Sequence, residues 1–160
     1  MESNDLTVVI VTYRSENKIF SCLNSIPSEI NIIVVENSNN QEFKKKIESK
    51  YRNVKCILAK ENLGYARGNN IGLNKVKTKY ALVLNPDARL EKNCVSCFLN
   101  TVKKFQDFWL IGPANNQSDL SVNSEEFEVD NLKGFAIFFN IQKFNNNFFD
   151  ENFFLYFEEI

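Results

Sequence analysis

Asp87 is the side chain whose position most suggests chemistry. It lies in the stretch KYALVLNPDARL, Lys79 to Leu90. Ala81-Leu82-Val83-Leu84 is an unbroken apolar run, which predicts a strand buried on both faces of a parallel sheet. Asn85-Pro86 ends it, because proline has no N–H for the ladder and holds the preceding residue extended. Asp87 is thereby set at the C-terminal edge of a central strand, the edge where open α/β sheets bind ligands. One carboxylate there can hold a hard divalent cation, since Mg²⁺ takes one or two protein carboxylates and adds phosphate oxygens. The same residues also read as a turn that opens a loop or caps a helix starting near Leu90, because Asn-Pro-Asp is common turn chemistry.

Other charged residues invite the same question. Glu36 stands directly past a second buried run, Asn31–Val35. Arg67 sits in the first turn of a predicted helix, where a cation does not favour the dipole. It either pairs with an anion or is an exposed arginine. Glu158-Glu159 read by themselves as a solvated acidic end. The chain has no histidine, which excludes Ser-His-Asp and Cys-His catalysis and histidine metal sites. Carboxylates, a metal, lysine, tyrosine or backbone amides must do any chemistry. Cys94 and Cys97 have CxxC spacing, but with only Cys22 and Cys56 besides they do not make a four-ligand zinc site. They read as ordinary residues in a reducing compartment.

The totals set bounds. A chain of 160 residues is one domain or most of one, large enough for a core without staples. Net charge is −1 with scattered basic residues, so nothing marks a nucleic-acid surface. No signal-peptide pattern opens the chain, and no apolar run reaches the ~20 residues of a membrane span. The expectation is a cytoplasmic protein with at most peripheral membrane contact.

The elements that must position these residues follow from periodicity. Leu6–Thr12 is β-branched and continuous and predicts the first buried strand. Glu16–Ile26 has Ile19, Phe20, Leu23 and Ile26 at helical spacing, and Pro27 ends it. Asn31–Val35 predicts a strand, Gln41–Tyr51 an exposed helix, and Asn53–Ala59 a weaker strand. This βαβαβ order implies a parallel sheet with right-handed crossovers. Glu61–Gly72 holds three of the chain's five glycines, which suit tight turns and close backbone approach to a ligand. It is neither GxGxxG nor a Walker loop, so neither dinucleotide nor ATP binding is indicated. Ala66–Val76 predicts a helix, and the Asp87 strand then makes four parallel strands. Beyond it come an amphipathic helix over Leu90–Phe105, a short strand over Trp109–Pro113, a polar mobile loop over Ala114–Asp130, and a strand over Leu132–Ile141. Ten of fifteen phenylalanines lie from Phe127 onward, as a core layer or an acceptor-binding wall.

Five segments together resemble glycosyltransferase family 2, in particular its rhamnosyltransferase-like branch. They are VVIVTYRS at Val8–Ser15, VVENS at Val34–Ser38, ENLGYARGNNIG at Glu61–Gly72, LNPDARL at Leu84–Leu90, and FFDENFFLYFEE at Phe148–Glu159. The resemblance implies the GT-A fold, a Rossmann-like α/β three-layer sandwich with a mostly parallel central sheet. It implies a single catalytic domain over 1–160, with a nucleotide-sugar-binding half at 1–90 and the start of an acceptor-binding half at 91–160. By position, Thr12, Tyr13 and Glu36 would line the base and ribose pocket. Asn62, Gly64, Arg67 and Asn70 would lie beside the nucleoside and diphosphate. Asn85 and Asp87 match the two ends of a DXD-type motif, with Asp87 the main ligand of Mg²⁺ or Mn²⁺. Glu159 matches the catalytic base, with Glu158 beside it.

The implied activity is inverting, metal-dependent transfer of a sugar, rhamnose or a hexose, from a UDP- or dTDP-linked donor to a polysaccharide or lipid-linked glycan. Two departures stand out. The family's usual Asp after the second strand is Glu36, and its Glu-Asp base pair reads Glu-Glu, each change adding one methylene of reach. The chain also ends inside the last motif, so the expectation is a fragment or natural truncation. The alternative is accordingly a nucleotide-sugar-binding module without turnover. A nucleotidyltransferase ranks below both, because TYRSEN stands where such enzymes carry a glycine- and basic-rich loop.

Overall fold

The computed structural model describes residues 5–114 and 128–154. The elements in chain order are β1 (Leu6–Thr12), α1 (Glu16–Ser25), β2 (Asn31–Glu36), α2 (Gln41–Lys50), β3 (Val54–Leu58), α3 (Gly64–Leu73), β4 (Tyr80–Leu84), α4 (Cys94–Lys104), β5 (Leu110–Ile111) and β6 (Ala136–Asn140). One sheet has the order β3-β2-β1-β4-β6-β5. Its first four strands are parallel, and β6 runs antiparallel to both β4 and β5.

The β-branched runs explain the layering. Leu6, Val8 and Ile10 pack with Ile19, Phe43, Ile47 and Phe98 on the face covered by α1, α2 and α4. Val9 packs with Val35, Ala66, Leu73, Val83 and Phe149 on the face covered by α3 and the C-terminal segment. Strand residues alternate between faces, so each apolar run feeds two cores, as a sheet with helices on both sides requires. All five residues of β4 are buried. Strand order reverses direction from β1, with β2 and β3 to one side and β4 to the other. In open α/β sheets ligands bind at such a switch point, outside the C-terminal ends of the strands, here β1, β2 and β4.

Several boundaries differ from the sequence expectation. α3 starts at Gly64 rather than Ala66, because its first amide groups find partners. Asn62 Oδ1 accepts from Gly64 N at 3.1 Å, and the Phe154 carbonyl accepts from Tyr65 N at 2.9 Å. The helix ends at Leu73, where Lys75 N and Val76 N bond back only three residues, to Gly72 and Leu73. α4 starts at Cys94, not Leu90; Leu90 N instead ties the preceding turn to α1 by donating to Ser25 Oγ at 3.0 Å. β6 covers only Ala136–Asn140 of the predicted 132–141 run. The expected loop over 114–130 falls mostly outside the described residues.

The glycines of α3 serve the sheet. A Cβ on Gly72 would lie 2.4 Å from Val9 Cγ1, and one on Gly68 2.8 Å from Val11 Cγ1. They let the helix approach β1 closely. The late phenylalanines divide: Phe138, Phe139 and Phe149 are buried, while Phe135, Phe153 and Phe154 are exposed. Phe138 packs against Phe98 and Tyr80 with ring centroids 5.1 and 5.4 Å apart. The described late aromatics are therefore mainly core.

Candidate functional site

Candidate site residues lie at the C-terminal ends of all three strands. Thr12 pairs with Glu36 across β1 and β2, and both side chains are buried. Thr12 Oγ1 has no hydrogen-bond partner among the described residues. A buried hydroxyl left unpaired costs ~1–3 kcal/mol. Tyr13 follows at the surface, with the Arg14 guanidinium 5.2 Å from its ring centroid. Arg14 has φ +50, a left-handed backbone that is uncommon for a long side chain and tends to occur at functional sites.

The Glu36 carboxylate faces its own turn. It accepts from Ser38 N at 3.0 Å and from the Ser38 hydroxyl, and its other oxygen accepts from Asn40 N at 2.5 Å. Asn40 in turn caps α2, accepting from Phe43 N at 2.9 Å, and its amide donates to Glu16 at 3.1 Å. The extra methylene of glutamate lets the carboxylate reach back over the turn that opens α2.

Asn37, which the sequence reading left without a role, is the hub beside it. Its Nδ2 donates to Asn62 Oδ1 at 3.1 Å and to the Gly64 carbonyl at 3.0 Å, and its Oδ1 accepts from Leu63 N at 3.2 Å. Its own N–H donates to the Thr12 carbonyl at 2.8 Å. One buried amide thus joins β1, β2 and the start of α3. The available signal was a carboxamide one residue beyond a buried strand, in the same run as Glu36.

At the N-terminus of α3, Gly64 has φ +76, and a Cβ there would lie 2.3 Å from the Phe154 carbonyl oxygen. Arg67 is half exposed and pairs with Glu151, Nε to Oε2, at 3.6 Å. Asn70 is buried and holds the same segment, donating to the Phe149 carbonyl at 3.0 Å and to Glu151 Oε1 at 2.9 Å. Glu61, Asn62, Leu63, Arg67, Glu151 and Phe154 face a cleft of about 220 Å³.

Asn85 and Asp87 leave β4 in a turn closed by Ala88 N to the Asn85 carbonyl at 3.1 Å. The Asp87 carboxylate is exposed and lies 3.7 Å from Lys18 Nζ on α1. Beneath it, Cys22 Sγ donates to the Asn85 carbonyl at 3.6 Å. Burial, helped by the Asp87 charge, pushes the Cys22 thiol up to about 12. Among the described residues no three histidine, cysteine, aspartate or glutamate side chains gather into a metal cage. One open carboxylate beside a carboxamide residue nevertheless fits a hard cation that completes its shell with phosphate oxygens and water. Asp87 and Asn85 would hold it. Glu158 and Glu159 lie outside the described residues.

The pairing of β1 with β2 thus brings Thr12 and Glu36 together, and Asn62, Gly64, Arg67 and Asn70 gather separately at the start and along the first turns of α3. Asp87 stands on the neighbouring strand with Lys18. No helix among the described residues is long and apolar enough to cross a membrane.

Comparison with known proteins gives a consistent result. The family model described as glycosyl transferase family 2 matches residues 7–160. The chain is 30% identical over 104 residues to a teichoic acid poly(glycerol phosphate) polymerase of Staphylococcus epidermidis, covering 60% of this chain and 14% of that protein. It is 26% identical over 186 aligned positions to the low-salt glycan biosynthesis hexosyltransferase Agl10 of Haloferax volcanii, covering 98% of this chain and 60% of that one. The chain therefore spans only part of the length of either relative. Among solved structures, the mannosyltransferase PcManGT of Pyrobaculum calidifontis, in complex with GDP-Man and Mn²⁺, superposes with a TM-score of 0.76 at 14% identity, over 92% of this chain and 48% of that one. S. aureus TarS 1-349 in complex with UDP gives 0.65 at 19% identity, over 93% and 51%. At these identities the likeness establishes the fold. The sandwich expected from the sequence is the GT-A fold.

Proposed function

The chain belongs to glycosyl transferase family 2, and from that premise we propose that it is the donor-binding part and the beginning of the acceptor-binding part of an inverting, metal-dependent glycosyltransferase. The donor is a nucleotide-diphosphate sugar, and the acceptor a polysaccharide or lipid-linked glycan. Residues 1–90 form the donor half, and residues from 91 onward open the acceptor half. The reaction takes place on the cytoplasmic side, with at most peripheral membrane contact.

The observation that supports this best is the convergence at the β1–β4 switch point. A buried Thr12 hydroxyl without a partner among the described residues, the Asn37-braced start of α3 and the exposed Asp87 carboxylate all stand at one sheet edge. Thr12 and Tyr13 receive the nucleoside, and the turn that Glu36 braces shapes its far wall. Arg67 takes the diphosphate. Asn62 and Gly64 set where the helix begins, and Asn70 acts through the segment it holds.

The chemistry asked of the site is twofold. The leaving diphosphate gains negative charge as the glycosidic bond breaks, and the acceptor hydroxyl must lose a proton. Mg²⁺ or Mn²⁺ on Asp87 and Asn85 supplies Lewis-acid stabilisation of the leaving group when bound. Arg67 adds a fixed positive charge beside the same oxygens. Glu159 accepts the acceptor proton as general base, with Glu158 beside it.

Calorimetric titration with UDP, dTDP and GDP, in Mn²⁺ or EDTA, tests this reading. Metal-dependent binding of one of them by the wild type, lost in Asp87→Ala and kept in Glu159→Ala, is expected. A folded wild-type chain that binds none of the three contradicts it.

A further inference from the structure

Two hydrogen-bonding groups at the N-terminal end of α3 are already occupied by the chain itself. The Arg67 guanidinium is paired with Glu151 at 3.6 Å. The Tyr65 N–H donates to the Phe154 carbonyl at 2.9 Å. A guanidinium and a first-turn helix amide are groups that a phosphate accepts from. Here a carboxylate and a carbonyl, three residues apart on one segment, take them instead. Gly64, with its positive φ, is what lets the Phe154 backbone come so close.

The two ends of this segment are held unequally. Phe149 is buried and fixed from both sides by Asn70, whose Oδ1 also accepts from Phe149 N at 3.0 Å. Beyond it, Glu151, Phe153 and Phe154 are exposed. The Arg67–Glu151 pair is about half exposed on both sides, so it is weak; displacement of Glu151 must also break the bond from Asn70 Nδ2 to Glu151 Oε1, at 2.9 Å. Glu61 also lines the cleft, so two acidic residues face it beside Arg67. Their charge opposes an incoming diphosphate, and Glu151 is the one paired with the guanidinium.

We propose that Phe149–Phe154 is a strap that fills the diphosphate end of the donor site, and that the donor displaces Glu151 and Phe154 while Asn70 keeps its grip on Phe149. This rests on the assignment of Arg67 to the diphosphate. Donor binding then moves the Glu151–Phe154 end of this segment off the start of α3. The exchange is one of ion pairs and hydrogen bonds, with no covalent step.

Calorimetry of the whole chain with UDP, dTDP and GDP in Mn²⁺, on wild type, Arg67→Ala, Glu151→Gln and the double variant, is the test. Glu151→Gln removes the competing charge and keeps an acceptor for Asn70. It should tighten binding about two- to fivefold, the range of a partly exposed ion pair, and the gain should vanish in the Arg67→Ala background. Chymotryptic cleavage at Phe153 and Phe154, followed by mass spectrometry, gives a readout without substitution: the bound nucleotide should speed it in the wild type. Unchanged or weaker binding by Glu151→Gln with an unchanged melting temperature overturns the strap, as does cleavage that the nucleotide leaves unchanged or slows. Should Glu151→Gln melt early, the wild-type cleavage decides. If Arg67→Ala leaves affinity untouched, the diphosphate assignment falls and takes the strap with it. If Arg67→Ala weakens binding and Glu151→Gln does not tighten it, only the strap falls. Binding of none of the three nucleotides overturns the donor reading, and the strap with it.

Discussion

Asn70 and Phe149 are joined twice. The Asn70 Nδ2 donates to the Phe149 carbonyl and the Phe149 N–H donates to Asn70 Oδ1, both at 3.0 Å. A side-chain amide here stands in for a neighbouring strand, satisfying both backbone groups of a residue 79 positions away in sequence. The pairing lies inside the core that α3 shares with β1 and β4. It ties the segment leading to Glu158 and Glu159 to the donor half of the sheet.

Asn70→Ala should therefore cost stability beyond the size of the side chain removed. It leaves a buried N–H and a buried carbonyl on Phe149 without partners, at ~1–3 kcal/mol for each unsatisfied group. A net loss of about 2–4 kcal/mol is expected by urea denaturation. Asn70→Asp should lose as much or more, because it withdraws two donors and puts a second carboxylate against Glu151. A loss below about 0.5 kcal/mol in either variant, the scale of ordinary surface changes, would mean that Phe149 finds other partners.

Glycine substitutions in α3 separate two jobs. Gly64→Ala places a side chain on a left-handed backbone, costing about 1–2 kcal/mol, and its Cβ collides with the Phe154 carbonyl. It should loosen the Phe153–Phe154 end to chymotrypsin as well as lower the melting temperature. Gly72→Ala drives a methyl against Val9 and should destabilise by about 1–3 kcal/mol through overpacking, without exposing that end. Equal cleavage in the two variants would show that Gly64 does not control the segment.

How much of this was legible in the sequence depends on the range of each interaction. The strands were, because β-branched and apolar runs such as Leu6–Thr12 and Ala81–Leu84 report burial directly. Asp87 at a strand exit was, because proline marks the stop. The start of α3 was not, since its amide groups are met by Asn62 and by Phe154, a residue far along the chain. The inward turn of Glu36 was hidden for the same reason as the hub at Asn37: a polar residue at the end of a strand looks alike whether it faces a ligand or folds back on its own turn. Glu151 lies within the segment Phe148–Glu159, but only the ion pair with Arg67, far away in sequence, gives it a role.

Asp87→Ala should separate binding from stability. The Asp87–Lys18 pair is exposed on both sides, so its loss should change stability by less than about 1 kcal/mol. Nucleotide binding should lose its dependence on Mn²⁺, and Asn85→Ala should weaken it less, since a carboxamide is the poorer ligand. Lys18→Ala, which frees the carboxylate of its one ionic partner among the described residues, should leave metal-dependent binding equal or stronger. Metal-dependent binding that survives in Asp87→Ala would move the cation to other residues.

The buried thiols give a prediction for alkaline pH. Burial, with a smaller contribution from Asp87, pushes Cys22 up to about 12 from an ordinary 9.0. Burial does the same to Cys56, partly opposed by Lys44. A thiol whose folded pKa is raised keeps its proton in the folded chain while the unfolded chain ionises. The unfolded state then binds fewer protons, and stability falls as pH rises. Each thiol's contribution is fully present below pH 9 and declines between 9 and 12, by at most about 1.4 kcal/mol per pH unit. Urea midpoints should thus drop from pH 8 to pH 10.5, and the drop should shrink in Cys22→Ala and Cys56→Ala by the difference each makes. At pH 8 an alkylating reagent should reach exposed Cys97 first and label Cys22 and Cys56 only at the rate of unfolding. Rapid labelling of Cys22 in the folded chain would mean that the floor of the site beneath Asn85 opens without unfolding, and that Asp87 stands on a less rigid base than its packing indicates.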